Sequence, residues 1–129
     1  MPISEFLIDT NILIYHTKGA ENTIDFIHRV ITQKSFNISI ITKIEFLGWN
    51  RHTFDSFEKC KRLIEFSNIY PSAEDIANKA IELKREANIR LADAVIAATT
   101  IVHNLKLATR NVVDFKSIKE IEIVNPLVL

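Results

Sequence analysis

The stretch Phe6-Leu7-Ile8-Asp9-Thr10-Asn11-Ile12-Leu13-Ile14-Tyr15 constrains the fold more than any other part of the chain. An apolar run of strand length stops at an acid, a hydroxyl and an amide, and apolar residues then resume at helical spacing. Asp9 is therefore expected at the carboxyl end of a buried strand. In an open parallel sheet that edge is where ligand crevices form, so an acid there is a functional candidate. Asp and Thr are also favoured helix N-caps, and Asp9 or Thr10 capping the next helix explains the same residues locally.

The chain has 129 residues, close to the commonest domain size, and is read as a single domain over residues 1–129. Sixteen basic residues balance sixteen acidic ones, so a polyanion site must come from local segregation of charge. The hydrophobic share of 47% and the mean hydropathy of +0.10 are high for so small a chain, which points to apolar surface buried against a second subunit or a partner. Cys60 is the only cysteine, which excludes an intrachain disulfide and a cysteine-based zinc cage and fits a reducing compartment. No leader is visible in Met1-Pro2-Ile3-Ser4-Glu5, and no apolar run approaches the roughly 20 residues that span a bilayer. A cytoplasmic protein without membrane attachment is expected. Gly19 and Gly48 are the only glycines, so a glycine-rich phosphate loop is excluded. None of His16, His28, His52 and His103 pairs at i, i+4 spacing, which disfavours a histidine metal site.

Along the chain, residues 12–17 predict a short helix and residues 21–33 a second, with Ile24, Ile27, His28 and Ile31 on one face. Phe36 to Ile40 alternates as a strand and runs into a helix from Ile41 to Trp49. Residues 53–67 predict an amphipathic helix with Phe54, Phe57, Leu63, Ile64 and Phe66 as its apolar residues. Asn68 to Pro71 is a short strand or connector. Ser72 is then a cap candidate for a helix running to about Ala87, with Ile76, Ala80, Ile81 and Leu83 inward. Residues 88–102 are nearly apolar all round beyond Arg90 and predict a buried helix against a sheet. Leu105 to Thr109 and Ile121 to Val124 are further strands, with Asn111 a helix cap between them. Strands alternating with helices predict an α/β fold, a mostly parallel central sheet with helices on both faces.

Four acids fall at comparable places. Asp9 follows a strand, Glu45 and Asp93 sit in early helix turns, and Asp114 lies just past a later strand. In a parallel sheet strand ends and helix starts share one edge, where these carboxylates would repel and raise one another's pKa unless cations neutralise them. Carboxylates without thiols or paired histidines favour Mg2+ or Mn2+, which can activate water and stabilise charge on a phosphate undergoing hydrolysis. Glu45 has a competing explanation, since Thr42-x-x-Glu45 matches a capping box. For Asp93 a helix-start role, worth about 0.3 to 1 kcal/mol, is small beside the cost of an unpaired buried charge.

These residues, in order, carry a resemblance. Leu7-Ile8-Asp9-Thr10-Asn11, Glu45 after a strand, Leu91-Ala92-Asp93-Ala94-Val95-Ile96-Ala97-Ala98-Thr99 and Thr109-Arg110-Asn111-Val112-Val113-Asp114-Phe115 resemble the PIN domain, especially the VapC toxins of toxin-antitoxin pairs. The similarity spans essentially the whole chain and implies a PIN-like three-layer sandwich. It further implies an Mg/Mn-dependent endoribonuclease, commonly a homodimer, held inactive by a small antitoxin whose tail covers the active site. Carried over by position, Asp9, Glu45 and Asp93 would be the main metal ligands and Asp114 the fourth acid. Thr109, Asn111 and Asn11 would orient that edge through hydrogen bonds. Lys84, Arg90 and Arg110 are candidates for RNA phosphate contacts, with solvated surface cations as the alternative for each.

Two other classes share such a scaffold. A receiver-type phosphoacceptor domain needs paired acids after the first strand, where this chain has Thr10-Asn11, and a dehalogenase-like phosphatase needs an acid where Asn11 stands. A non-catalytic PIN-like binding module is the third alternative; the presence of all four acids argues against decay.

Overall fold

The computed structural model describes residues 5–128, so the reading of the first residues as lacking a leader falls largely outside it. β1 (Phe6–Ile8) is the central strand of a five-stranded sheet, with β2 (Phe36–Ser39), β3 (Asn68–Tyr70), β4 (Lys106–Ala108) and β5 (Ile123–Val124) arranged β3-β2-β1-β4-β5. Every pairing is parallel, with Phe6 beside Phe36 on one side of β1 and Ile8 beside Ala108 on the other. The strands are linked by α1 (Thr10–Thr17), α2 (Glu21–Thr32), α3 (Ile40–Leu47), α4 (Phe54–Ile64), α5 (Glu74–Glu86), α6 (Leu91–Val102) and α7 (Val112–Phe115), and a 3-10 turn, Pro126–Val128, ends the described chain.

Successive strand side chains point to opposite faces, so the three residues of β1 serve two cores. Phe6 and Ile8 pack with Ile12 and Leu13 of α1, Phe26, Ile27 and Val30 of α2, Phe46 of α3, and Cys60 and Ile64 of α4. Leu7 joins Leu107 of β4, Ile76, Ala80 and Leu83 of α5, Ala94, Ile96, Ala97 and Ala98 of α6, and Phe115 of α7. Burial on both faces is why β1 reads as a continuous apolar run. A polar line running from buried Asn37 to exposed Asn68 reinforces the sheet: Asn37 Nδ2 donates to the Phe6 carbonyl at 2.9 Å and Asn68 Nδ2 donates to Asn37 Oδ1 at 3.0 Å, tying β3, β2 and β1 together.

Several local expectations shift. The buried stripe of α2 is Thr23, Phe26, Ile27 and Val30, whereas Ile24 is 40% exposed and His28 lies outside. The expected stripe Ile24, Ile27, His28, Ile31 and the observed one have identical i, i+3, i+4, i+7 spacing, one residue apart. Phe26 decides between them by meeting the Phe6 ring edge-on at 5.1 Å, and the Thr23 hydroxyl, buried, donates to the Ala20 carbonyl at 2.6 Å. Phe54 and Phe66 face solvent, leaving Cys60 and Ile64 as the buried residues of α4. Ile81 is exposed, and α5 starts at Glu74 with Ala73, not Ser72, at its cap. Asn111 stands at the cap position of α7 but its side chain makes no capping bond.

Candidate active site

Strand order reverses beside β1: β2 and β3 lie to one side, β4 and β5 to the other. The carboxyl ends of β1 and β4 therefore flank a topological switch point, where open α/β sheets bind ligands. The Asp9 amide donates to the Ala108 carbonyl at 2.9 Å, which continues the β1–β4 ladder and sets Asp9 beside Thr109.

Asp9 stands at the carboxyl end of β1 and also caps α1. Its backbone is extended at the N-cap of α1, and Oδ1 accepts from the Thr10 amide at 2.8 Å. Oδ2 accepts from the Thr109 hydroxyl at 2.8 Å and from Asn11 Nδ2 at 3.0 Å. No cation is among these partners. Burial pushes the Asp9 carboxyl up to about 6, opposed by the bonds from Thr109 and Thr10 and assisted by the charges of Asp93 and Glu45. Thr109 also accepts from the Asn111 amide at 3.0 Å, and Asn11 Oδ1 accepts from the Arg110 amide at 3.0 Å. The polar residues after β1 and β4 thus form one interlocked edge.

Glu45 is not part of a capping box. Ser39 caps α3, its hydroxyl accepting from the Ile41 amide at 3.2 Å, while Thr42 lies buried inside the helix. Glu45 instead reaches across to α1, where Oε1 accepts from the Thr10 hydroxyl at 2.7 Å; that hydroxyl also lies 3.3 Å from the Thr42 hydroxyl. Thr10 and Thr42 are the positioning residues that sequence reasoning missed as such. The only signal for Thr10 is its place immediately after Asp9; for Thr42 the capping-box spacing misled.

Asp93 is buried in the first turn of α6. Its Oδ2 accepts from Arg90 Nε at 3.2 Å and its Oδ1 from Arg90 Nη2 at 3.4 Å. Asp114 is exposed on α7 and lines, with Asn88, Arg90, Asp93 and Ser117, an open cleft of about 290 Å³. Asp9 lies within the fields of both Asp93 and Glu45. Among the described residues, however, no three Asp, Glu, His or Cys side chains stand close enough together to enclose an ion.

The candidate cations differ. The Arg110 guanidinium lies over the Tyr15 ring, 5.2 Å from its centre, beside the Asp9 edge. Lys84 Nζ donates to the Ile89 carbonyl at 3.0 Å, bracing the link between α5 and α6. A second, apolar cleft of about 440 Å³ is lined by Ile14, Phe46, Trp49, His52 and Cys60, with Glu45 on its wall.

The chain is 31% identical over 121 residues to ribonuclease VapC10 of Mycobacterium tuberculosis, covering 90% of each chain. It superposes with a TM-score of 0.77 on a toxin-antitoxin complex from Klebsiella pneumoniae, at 29% identity and covering 95% of this chain and 98% of the other. VapBC2 from Rickettsia felis, solved bound to a DNA fragment from its promoter, shares the fold with a TM-score of 0.81 at 21% identity, over 93% of this chain and 97% of the other. The family model of the PIN domain matches residues 6–121, most of a chain whose five strands form one parallel sheet, and the chain belongs to the PIN domain family.

Proposed function

We propose that this chain, one domain over residues 1–129, is a divalent-metal-dependent endoribonuclease and the toxin of a VapBC-type toxin-antitoxin pair. The observation that carries the reading is Asp9, buried at the switch point without a cationic partner and raised to about 6, with Asp93 and Glu45 adding to its charge burden. Similarity to a ribonuclease and to a toxin-antitoxin complex supports the same reading.

The donor chemistry fits a hard ion. The oxygens of Asp9, Glu45 and Asp93, with Asp114 in the adjoining cleft, suit Mg2+ or Mn2+ and no soft metal. Such an ion supplies water activation and compensation of charge on the scissile phosphate. The protein's own part is to hold the ligands. Thr109 and Asn11 fix Asp9 Oδ2, the single bond from the Thr10 amide leaves a lone pair of Oδ1 open, and the Thr10 hydroxyl fixes one oxygen of Glu45. Arg90 and Arg110, flanking this edge, would receive the RNA backbone, with Lys84 behind them beside Ile89.

The partners follow from the surface. The apolar cleft beside Glu45 is suited to an apolar segment of a small antitoxin, which would then cover the acidic edge. Exposed Ile44, Trp49, Phe54 and Phe66 supply further apolar surface for that partner or for a second copy of the chain. No helix among the described residues is long and apolar enough to cross a membrane; a cytoplasmic site of action is part of the proposal.

The test is incubation of the purified protein with end-labelled RNA. Cleavage is expected with Mn2+ and not with EDTA, and Asp93→Asn is expected to lose it while keeping its cooperative melt. Undiminished cleavage in EDTA would remove the metal, and a fully active Asp93→Asn would remove Asp93 from the mechanism. Neither a non-catalytic binding module nor a receiver-type phosphoacceptor predicts any metal-dependent cleavage.

A further inference from the structure

Arg90 occupies the N-cap position of α6 and makes no capping bond with its side chain, which folds over the first helical turn onto Asp93. Two guanidinium nitrogens meet two carboxylate oxygens, at 3.2 and 3.4 Å. Among the described residues this is the one salt bridge made by any of the four acids Asp9, Glu45, Asp93 and Asp114. The two ends differ in exposure: the Asp93 side chain is 9% exposed and that of Arg90 is 74% exposed. Asp114 lines the same cleft, and its charge and that of Glu45 also favour the guanidinium cation after the dominant contribution of Asp93.

A carboxylate gripped at both oxygens by a guanidinium is a partly neutralised ligand, and a dication placed beside Arg90 would be repelled by it. Among the described residues no three acids are gathered around an ion-sized space. We propose that Arg90 is the resident counter-ion of the acidic edge: it holds Asp93 while no divalent ion is bound, yields Asp93 when the ion enters, and then offers its fork to a phosphate of the RNA. The inference rests on the metal-dependent ribonuclease reading. An ion pair open to water along most of one partner is weakly held, so the exchange needs a side-chain rotation and no refolding. The planar fork that matches a carboxylate matches a phosphate equally well.

The test uses the whole purified protein, first without RNA. Mn2+ titrated calorimetrically is expected to bind Arg90→Gln about five- to tenfold more tightly than the parent. Separately, the Nε–H signal of Arg90, assigned in 15N spectra by its loss in Arg90→Gln, is expected to shift and lose protection from solvent exchange as Mg2+ is added to the parent. With RNA and saturating Mn2+, Arg90→Gln is expected to raise KM about tenfold with a smaller change in kcat, because a phosphate contact is lost. A parent that binds no Mn2+ overturns both this inference and the metal-dependent reading. A parent that binds Mn2+ but whose Arg90 signal stays unmoved at saturating Mg2+, or an Arg90→Gln of equal or weaker Mn2+ affinity, overturns the counter-ion role alone. An unchanged KM overturns the hand-over to phosphate.

Discussion

Asp9 shows how a single residue can serve local structure and chemistry at once. Its Oδ1 caps α1 while its Oδ2 is held by Thr109 and Asn11 from across the sheet edge. Because its folded pKa of about 6 lies above the ordinary 3.8, the folded state holds the proton more tightly than the unfolded chain. The stability Asp9 contributes is complete below about pH 3.8 and is lost as pH rises through about 6. The interval corresponds to on the order of 3 kcal/mol in all, with about 1 to 2 kcal/mol of it lost between pH 5 and 7.5. Urea unfolding of the metal-free protein is therefore expected to show the parent losing about that much more stability than Asp9→Asn across this range. Parallel pH profiles for the two proteins would show that Asp9 ionises unhindered.

At the scale of the element, α3 separates two tasks that its sequence runs together. Ser39 starts the helix, and Glu45, nearly two turns on, points at Thr10 of α1. Ser39→Ala is expected to cost about 1 kcal/mol of stability, read from chemical denaturation, with additional loss if the buried site is left unsatisfied. Glu45→Gln and Glu45→Ala are both expected to stay close to parental stability, since Glu45 is exposed and caps nothing. Both should nevertheless bind Mn2+ much more weakly and fail to cleave RNA, because a negative charge leaves the acidic edge. A Glu45→Gln that binds Mn2+ and cleaves RNA like the parent would exclude Glu45 from the site.

At the scale of the whole molecule, the two cores on either side of the sheet fill the interior, yet Ile44, Trp49, Phe54, Phe66 and Val113 remain at the surface. Apolar side chains so exposed in a chain of this size favour association. Sedimentation at micromolar concentration is expected to give about twice the monomer mass, in keeping with a symmetric dimer. A monomer at that concentration would overturn the dimer.

What the sequence determined by itself was the architecture and the list of acids. Apolar runs of strand length alternating with helical patterns specify parallel β-strands joined by helices, because the central runs such as β1 and β2 must be buried on both faces and each connection must return along the sheet. The same alternation places Asp9, Thr109 and Asn111 at strand ends. What only the tertiary structure decided was which of two equally spaced stripes of α2 is buried, since periodicity is blind to a one-residue rotation and only the meeting of Phe26 with Phe6 breaks the tie. It likewise decided that Glu45 crosses to Thr10 instead of turning back on its own helix, and that Asp93 rests on Arg90. Those choices depend on side chains up to 35 residues apart, or on the rotamer of a long arginine. The Glu45 crossing leaves no trace in local spacing, because the energy that selects it comes from contacts made only once the sheet edge has formed, whereas Arg90 and Asp93 stand at i, i+3, a spacing visible in the sequence, and only the rotamer that closes the pair was left to the structure.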